Sequence, residues 1–211
     1  MLREETVEPS TLELLKKLTS LPELSDFRLV GGTALSLLLG HRKSIDIDLF
    51  TDKPFEKDWL TDLLNIHFQE YSSLENRSRS IFQCIIQNVK VDFVCVKDPF
   101  TYPVNYTANI PFADIKDITA LKLNAIKGRG AKKDFWDVAK LLQLYSLNEL
   151  LSFYQERYPY DDTFAVMRSI IYFDDAEDDA DPETIEKTSW KQVKNIIKKA
   201  FNDYYKQNTK N

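Results

Sequence analysis

The stretch Arg28-Leu-Val-Gly31-Gly32-Thr33-Ala-Leu-Ser-Leu-Leu-Leu-Gly40-His41-Arg42-Lys43-Ser44-Ile45-Asp46-Ile47-Asp48-Leu49-Phe50 reads as a short strand, a glycine turn and an apolar helix, then a basic connector and a strand bearing two carboxylates. Strands disfavour Asp, so two of them in a β-branched run need a reason. Alternate side chains of an extended chain point to the same face. Asp46 and Asp48 then project together about 7 Å apart, and at an effective dielectric of about 20 they repel by roughly 2 kcal/mol. A polar outer face on a half-exposed strand would also put them there. A bound divalent cation would turn the repulsion into a binding site.

Around this stretch the chain looks like an ordinary soluble globular protein. Its 211 residues are 43% hydrophobic and 29% charged, enough for a sizeable core in one domain or a domain with a helical appendage. No apolar run nears the ~20 residues of a membrane span, so no membrane partner is expected. The first residues, Met1-Leu-Arg-Glu-Glu-Thr, lack the apolar region of a secretory signal. Cys84 and Cys95 fall in strand-like runs and suggest neither disulfide nor metal knuckle. A reduced, cytoplasmic setting is the expectation.

The formal charge of −5 hides segregation: residues 174–186 hold eight acidic side chains and no basic one, leaving +3 for the rest. Such a chain is not barred from nucleic acid. The acidic segment reads as a solvated loop, as a surface that repels misplaced RNA, or as a dock for a basic partner.

Apolar periodicity predicts helices near 10–19, 33–39 and 54–68, with strand-like runs at 27–30, 69–75, 80–87 and 89–96. Gln87-Asn88 suits a hairpin turn between the last two. From Asp114 only helices are expected, near 115–127, 133–145, 147–157, 163–173 and 189–205. The last opens on a capping box of Ser189 and Gln192. The fold class is therefore α+β, a mixed-sheet core over residues 1–113 followed by a helical bundle over 114–211.

A third carboxylate, Asp92 in Val89-Lys90-Val91-Asp92-Phe93-Val94, shares its face with Val94 and Val96. A carboxylate on an apolar sheet face either has a partner or lines a cleft. Together with Asp46 and Asp48 it forms a set of hard oxygen ligands of the kind Mg²⁺ uses when shared with phosphates. Two such ions would serve both the attacking and the leaving oxygen of a displacement. Gly31, Gly32 and Thr33 offer amides and a hydroxyl at a helix N-terminus, a seat for an anion, which Arg42, Lys43 and Ser44 flank in sequence. Lys122, four residues from Ile118 and Ile126, borders an apolar stripe and either snorkels to water or serves a site. In Lys132-Lys133-Asp134-Phe135-Trp136-Asp137, Asp134 suits the positive end of a helix. Lys133 and Asp137 read as an i,i+4 surface pair, and the basic run around Arg129 as a turn or a track for phosphates.

Taken together these motifs resemble the AbiEii/AbiGii-type nucleotidyltransferases, a branch of the DNA polymerase β-like superfamily. Gly31-Gly32-Thr33 with Arg42-x-Ser44-x-Asp46-Ile-Asp48-Leu-Phe50 is similar to the first motif. Val91-Asp92-Phe93, Ala120-Leu-Lys122-Leu-Asn-Ala-Ile126 and Lys133-Asp134-x-x-Asp137 follow in order, and Tyr172-Phe-Asp-Asp with Trp190-Lys-x-Val193 resembles the C-terminal helical part. The resemblance implies transfer of a nucleoside monophosphate from an NTP, with Mg²⁺ or Mn²⁺ held by Asp46, Asp48 and Asp92. It also implies that Asp92 helps deprotonate the attacking hydroxyl. Gly31, Gly32, Thr33, Arg42 and Ser44 would contact phosphates, Lys122 would offset charge on leaving pyrophosphate, and Lys133 and Asp134 would bind nucleotide or acceptor. In polymerase β relatives a serine follows the first glycine, whereas Thr33 follows a second, displacing its hydroxyl by one residue. The acceptor implied is the 3′ end of RNA, above all tRNA, in a toxin with a cognate antitoxin. A protein hydroxyl as acceptor, and an inactive nucleotide-binding or interaction module, are the alternatives.

Overall fold

The computed structural model describes residues 1–208, which divide into two compact units. The first comprises Met1–Leu38 and Ser44–Ala113. The second comprises Leu39–Lys43 and the chain from Asp114 onward.

The first unit runs α1 (Pro9–Thr19), β1 (Arg28–Val30), α2 (Gly31–Leu39, whose last residue clusters with the second unit), β2 (Ile47–Thr51), α3 (Lys57–His67), β3 (Tyr71–Leu74), β4 (Ile81–Ile86), β5 (Val89–Cys95), β6 (Asn105–Thr107) and β7 (Ile110–Phe112). One mixed sheet of seven strands has the order β3-β4-β5-β2-β1-β7-β6. At its centre β2 lies parallel to β5 and antiparallel to β1. The period of two is plain there: Ile47, Leu49, Val91, Phe93, Phe82 and Cys84 are buried, while Asp48, Asp92 and Gln83 on the other face are half-buried. Phe27 meets Phe93 edge-on at 5.4 Å within that core.

The β4–β5 hairpin turns at Gln87 and Asn88, with φ of 51° and 65°, the left-handed pair that a two-residue type I′ loop needs. A second hairpin, β6–β7, turns at Ala108 and Asn109 with φ of 51° and 62°. The sequence periodicity did not reveal it, because three-residue strands are too short to show alternation and Pro111 breaks the strand composition. Asp46 also departs from expectation, since it precedes β2. The ladder begins at Ile47 opposite Val91, and the Asp46 carbonyl accepts the Thr33 hydroxyl instead.

The second unit is helical, with α4 (Ile115–Arg129), α5 (Lys132–Leu141), α6 (Leu147–Arg157), α7 (Thr163–Ile170) and α8 (Trp190–Asn208). α4 packs on α5, α6 and α7, and α8 packs on α5 and α6. Asp114 caps α4 by accepting the Lys116 amide at 2.9 Å, and Gly130 ends it in a left-handed conformation, φ 56°. Ser189 and Gln192 form the reciprocal pair expected before α8. Phe135, Phe173 and Trp190 pack mutually within 5.7 Å, and Trp136 stacks on Trp190 at 5.3 Å. Helix α7 stops at Ile170, short of the expected 173, and Phe173 turns into this cluster. No helix among the described residues is long and apolar enough to cross a membrane.

The acidic segment 174–186 is a strap across the second unit's own lysines. Glu177 pairs with Lys194 at 2.6 Å, Asp181 with Lys132 at 3.2 Å, Glu183 with Lys43 at 2.7 Å, and Glu186 with Lys140. Its backbone also engages the connector after α2: the Lys43 amide donates to the Glu183 carbonyl at 2.7 Å and the Ile185 amide to the His41 carbonyl at 3.1 Å. The segment is a solvated connection between α7 and α8, as one of the three sequence readings has it, with part of its charge paired to lysines.

Candidate active site

Asp48 on β2 and Asp92 on β5 are direct neighbours, partners in register across the parallel ladder. Parallel strands in register carry equivalent side chains to one face, so two carboxylates distant in sequence meet by topology. Asp46 lies two residues before Asp48.

Asp92 is firmly held. Gln83, opposite it on β4, donates from Nε2 to both carboxylate oxygens at 3.1 and 3.2 Å. Asn76 in turn donates to the Gln83 side-chain oxygen at 2.8 Å. Lys90, two residues along β5 and hence on the same face, places Nζ 2.6 Å from Asp92 Oδ2. Burial would depress the Lys90 ammonium, but its hydrogen bond to Asp92 and the charges of Asp92, Asp46 and Asp48 outweigh that and raise its pKa. One ammonium thus feels all three carboxylates.

That ammonium is a stand-in ion. It shows that the carboxylates share a negative field suited to a cation, and their oxygens are the hard donors that Mg²⁺ or Mn²⁺ takes. Among the described residues no three His, Cys, Asp or Glu side chains already converge tightly enough to hold a metal.

Gly31 forms the wall beside Asp48. Its φ is 72°, and a Cβ built on it would lie 2.8 Å from Asp48 Cγ and 3.1 Å from Asp48 Cβ. Only glycine lets the β1–α2 bend come so close to that carboxylate. Gly31 and Gly32 open α2, where the first amides lack intrahelical acceptors and favour an anion. Thr33 does not extend this seat. It is fully buried, and its hydroxyl donates to Ser44 Oγ at 2.9 Å and to the Asp46 carbonyl. That hydroxyl fastens α2 to the approach of β2, while Ser44, half-buried, is the hydroxyl nearer to solvent.

The second unit contains a separate buried cluster. Lys122 Nζ lies 2.8 Å from Asp134 Oδ1 and 2.8 Å from Asp137 Oδ2. Arg42 forks onto Asp137, Nε to Oδ1 at 2.7 Å and Nη2 to Oδ2 at 2.9 Å, and His41 Nε2 reaches the same Oδ1 at 2.7 Å. Arg129 closes on Asp134 at 3.1 Å. Burial pushes the Asp137 carboxyl up, yet the charges of Arg42 and Lys122 hold it well below the usual range. Asp134 is lowered in the same manner, burial opposing Lys122 and Arg129. Lys122 is raised, since Asp137 and Asp134 overcome its desolvation.

Three expectations change here. Asp137 is not a surface partner of Lys133: it is fully buried whereas Lys133 is exposed. Arg42 spends Nε and Nη2 on Asp137 and Nη1 on the Lys43 carbonyl at 2.9 Å, so this geometry gives it a structural post and no open fork for phosphate. Lys122 does not snorkel, its side chain being only 6% exposed. Sequence reading also passed over Lys90, Gln83 and His41. Lys90 had a signal, its i,i+2 spacing to Asp92 on one strand face.

A family description, "Nucleotidyl transferase AbiEii toxin, Type IV TA system", matches residues 13–208. The chain belongs to the AbiEii toxin family. This AbiEii protein is an NTP-dependent nucleotidyltransferase of a family of toxins from type IV toxin–antitoxin systems. It is 32% identical over 202 residues to an uncharacterised protein of Aquifex aeolicus (strain VF5), covering 91% of this chain and 94% of that one. In fold the AbiEii chain is similar to JHP933 from Helicobacter pylori, with a TM-score of 0.56, 17% identity and 97% of each chain covered. It is likewise similar to MenT4, a nucleotidyltransferase toxin of Mycobacterium tuberculosis H37Rv, with a TM-score of 0.55, 16% identity, and 94% and 84% of the two chains covered.

Proposed function

We propose that this AbiEii protein transfers a nucleoside monophosphate from an NTP to the 3′ hydroxyl of RNA, tRNA foremost, and acts thereby as the toxin of a pair with a cognate antitoxin. The observation that carries the reading is the register of Asp48 with Asp92 beside the Gly31 bend. Membership of a toxin nucleotidyltransferase family supports the same chemistry.

Asp46, Asp48 and Asp92 would hold Mg²⁺ or Mn²⁺, which when bound supplies Lewis-acid stabilisation of the triphosphate. The chain's own residues do the rest. Gly31 and Gly32 amides and the Ser44 hydroxyl orient the phosphates. Asp92 receives the proton as the RNA hydroxyl oxygen bonds to the α-phosphorus, and the α–β bridging bond breaks to release pyrophosphate. Lys122 is assigned to offset charge developing on pyrophosphate. Lys133, exposed on the first turn of α5 beside the buried Asp134, is assigned to nucleotide or acceptor.

The test supplies each α-labelled NTP with Mg²⁺ or Mn²⁺ and either total RNA or total cell protein. Label is expected in small RNA, and Asp48→Asn or Asp92→Asn should lower the rate about 100- to 1,000-fold, the size of losing a centre of charge stabilisation. Label in protein would move the acceptor to a protein hydroxyl. Label in neither would sink the transfer reading.

A further inference from the structure

Lys90 is the group among the carboxylates that the proposed chemistry does not use. It is not an ordinary surface pair, which would involve one carboxylate and little coupling beyond it. Its ammonium takes Asp92 Oδ2 at 2.6 Å, feels Asp46 and Asp48 as well, and stands where β2 and β5 bring their carboxylates to one face. Gln83 grips Asp92 independently, so the carboxylate stays oriented whether or not the lysine remains. The Lys90 side chain is 41% exposed against 15% for Asp92, leaving the ammonium a way out to solvent along a flexible stem.

We propose that Lys90 is a resident competitor of the divalent cation: it neutralises the carboxylates in the metal-free protein and gives up Asp92 Oδ2 when an ion binds. This rests on the assignment of Asp46, Asp48 and Asp92 as ligands. The physical reason is charge, because an ammonium held 2.6 Å from Asp92 Oδ2 repels a divalent ion drawn to the same oxygen. Without the lysine that repulsion is gone and Asp92 loses its ammonium partner, so the metal-free protein is poorer and the ion gains more. Lys90 would thereby set how much free divalent cation the protein requires.

The experiment measures Mn²⁺ binding without NTP, by calorimetry and by the loss of the free-ion spin-resonance signal. Wild type is compared with Lys90→Met, Lys90→Gln, Lys90→Arg and Asp92→Asn. Lys90→Met should bind Mn²⁺ about tenfold more tightly, equivalent to about 1.4 kcal/mol. Lys90→Gln, neutral but still a hydrogen-bond donor, should do likewise and guards against a folding defect in the first variant. Lys90→Arg, which keeps the charge, should stay near wild type. Both neutral variants should melt lower than wild type without metal and rise more on adding Mn²⁺. Equal or weaker Mn²⁺ binding by both neutral variants, with wild-type binding still abolished by Asp92→Asn, would overturn the competitor role alone. Mn²⁺ binding indifferent to Asp92→Asn would overturn this inference and the ligand assignment together.

Discussion

Gly31 and Gly128 are the same residue type under opposite constraints. Gly31 sits at φ 72° with the Asp48 side chain where a Cβ would go. Alanine there pays about 1–2 kcal/mol for the left-handed backbone and also pushes the Asp48 carboxylate off its place. Gly31→Ala should therefore lower the melting temperature by several degrees and cut transfer out of proportion, at least 100-fold, read by the labelled-NTP assay on folded protein. Gly128 lies within α4 with no heavy atom within 4 Å of an added Cβ. Gly128→Ala should stabilise by about 0.5–1 kcal/mol in urea unfolding through helix propensity. The turn at Gly31-Gly32 could be read from sequence because glycine pairs mark turns. The reason alanine fails there could not, since Asp48 comes against it only once β1 and β2 pair.

At the level of elements, α5 marks how far periodicity reaches. Of the stripe Phe135, Val138, Ala139 and Leu142 that spacing predicts, the first three are buried and Leu142 is half-buried, while Asp134 and Asp137 are as buried as any of them. Their three-residue separation put them on one helical face, and that much was legible. Their partners were not, because His41 and Arg42 lie about 95 residues away in sequence and no local pattern encodes such a pairing. The strand carboxylates were legible in part: alternation set the faces of Asp48 on β2 and Asp92 on β5, whereas their register needed the sheet and Asp46 falls before β2. Removing one partner of a buried ion pair costs about 3–5 kcal/mol, mostly from the charges left behind. Asp137→Asn should cost that much in urea unfolding, since it strands Arg42 and half of Lys122's pairing. Lys133→Ala, on the exposed side of the same helix, should stay within about 0.5 kcal/mol of wild type.

Over the whole molecule, the charge of −5 is arranged, not spread. The strap places its carboxylates on Lys43, Lys132, Lys140 and Lys194, pairs that are mostly half-exposed and so weak singly and sensitive to salt. The buried cluster behaves otherwise, and its response to pH follows from the directions of its shifts. Asp134 and Asp137 are lowered from 3.8, so the stability they contribute is complete above that value and is lost as pH falls through their lower folded-state values. Lys122 is raised from 10.5, so its contribution is complete below that value and is lost as pH rises through the folded one. The second unit should therefore hold a level stability from about pH 5 to pH 9 in moderate salt, declining below about pH 4 and again at strongly alkaline pH. Trp59→Phe leaves Trp136 and Trp190, both in the aromatic cluster beside α5, to report on this unit by fluorescence in urea. The midpoint should stay flat across that window, whereas in Asp137→Asn it should start lower and lose part of its acid decline, one depressed carboxylate having been removed. An acid decline below about pH 4 as large in Asp137→Asn as in wild type would mean that Asp137 is not depressed in the folded chain, and its pairing with Arg42 and Lys122 would have to be abandoned.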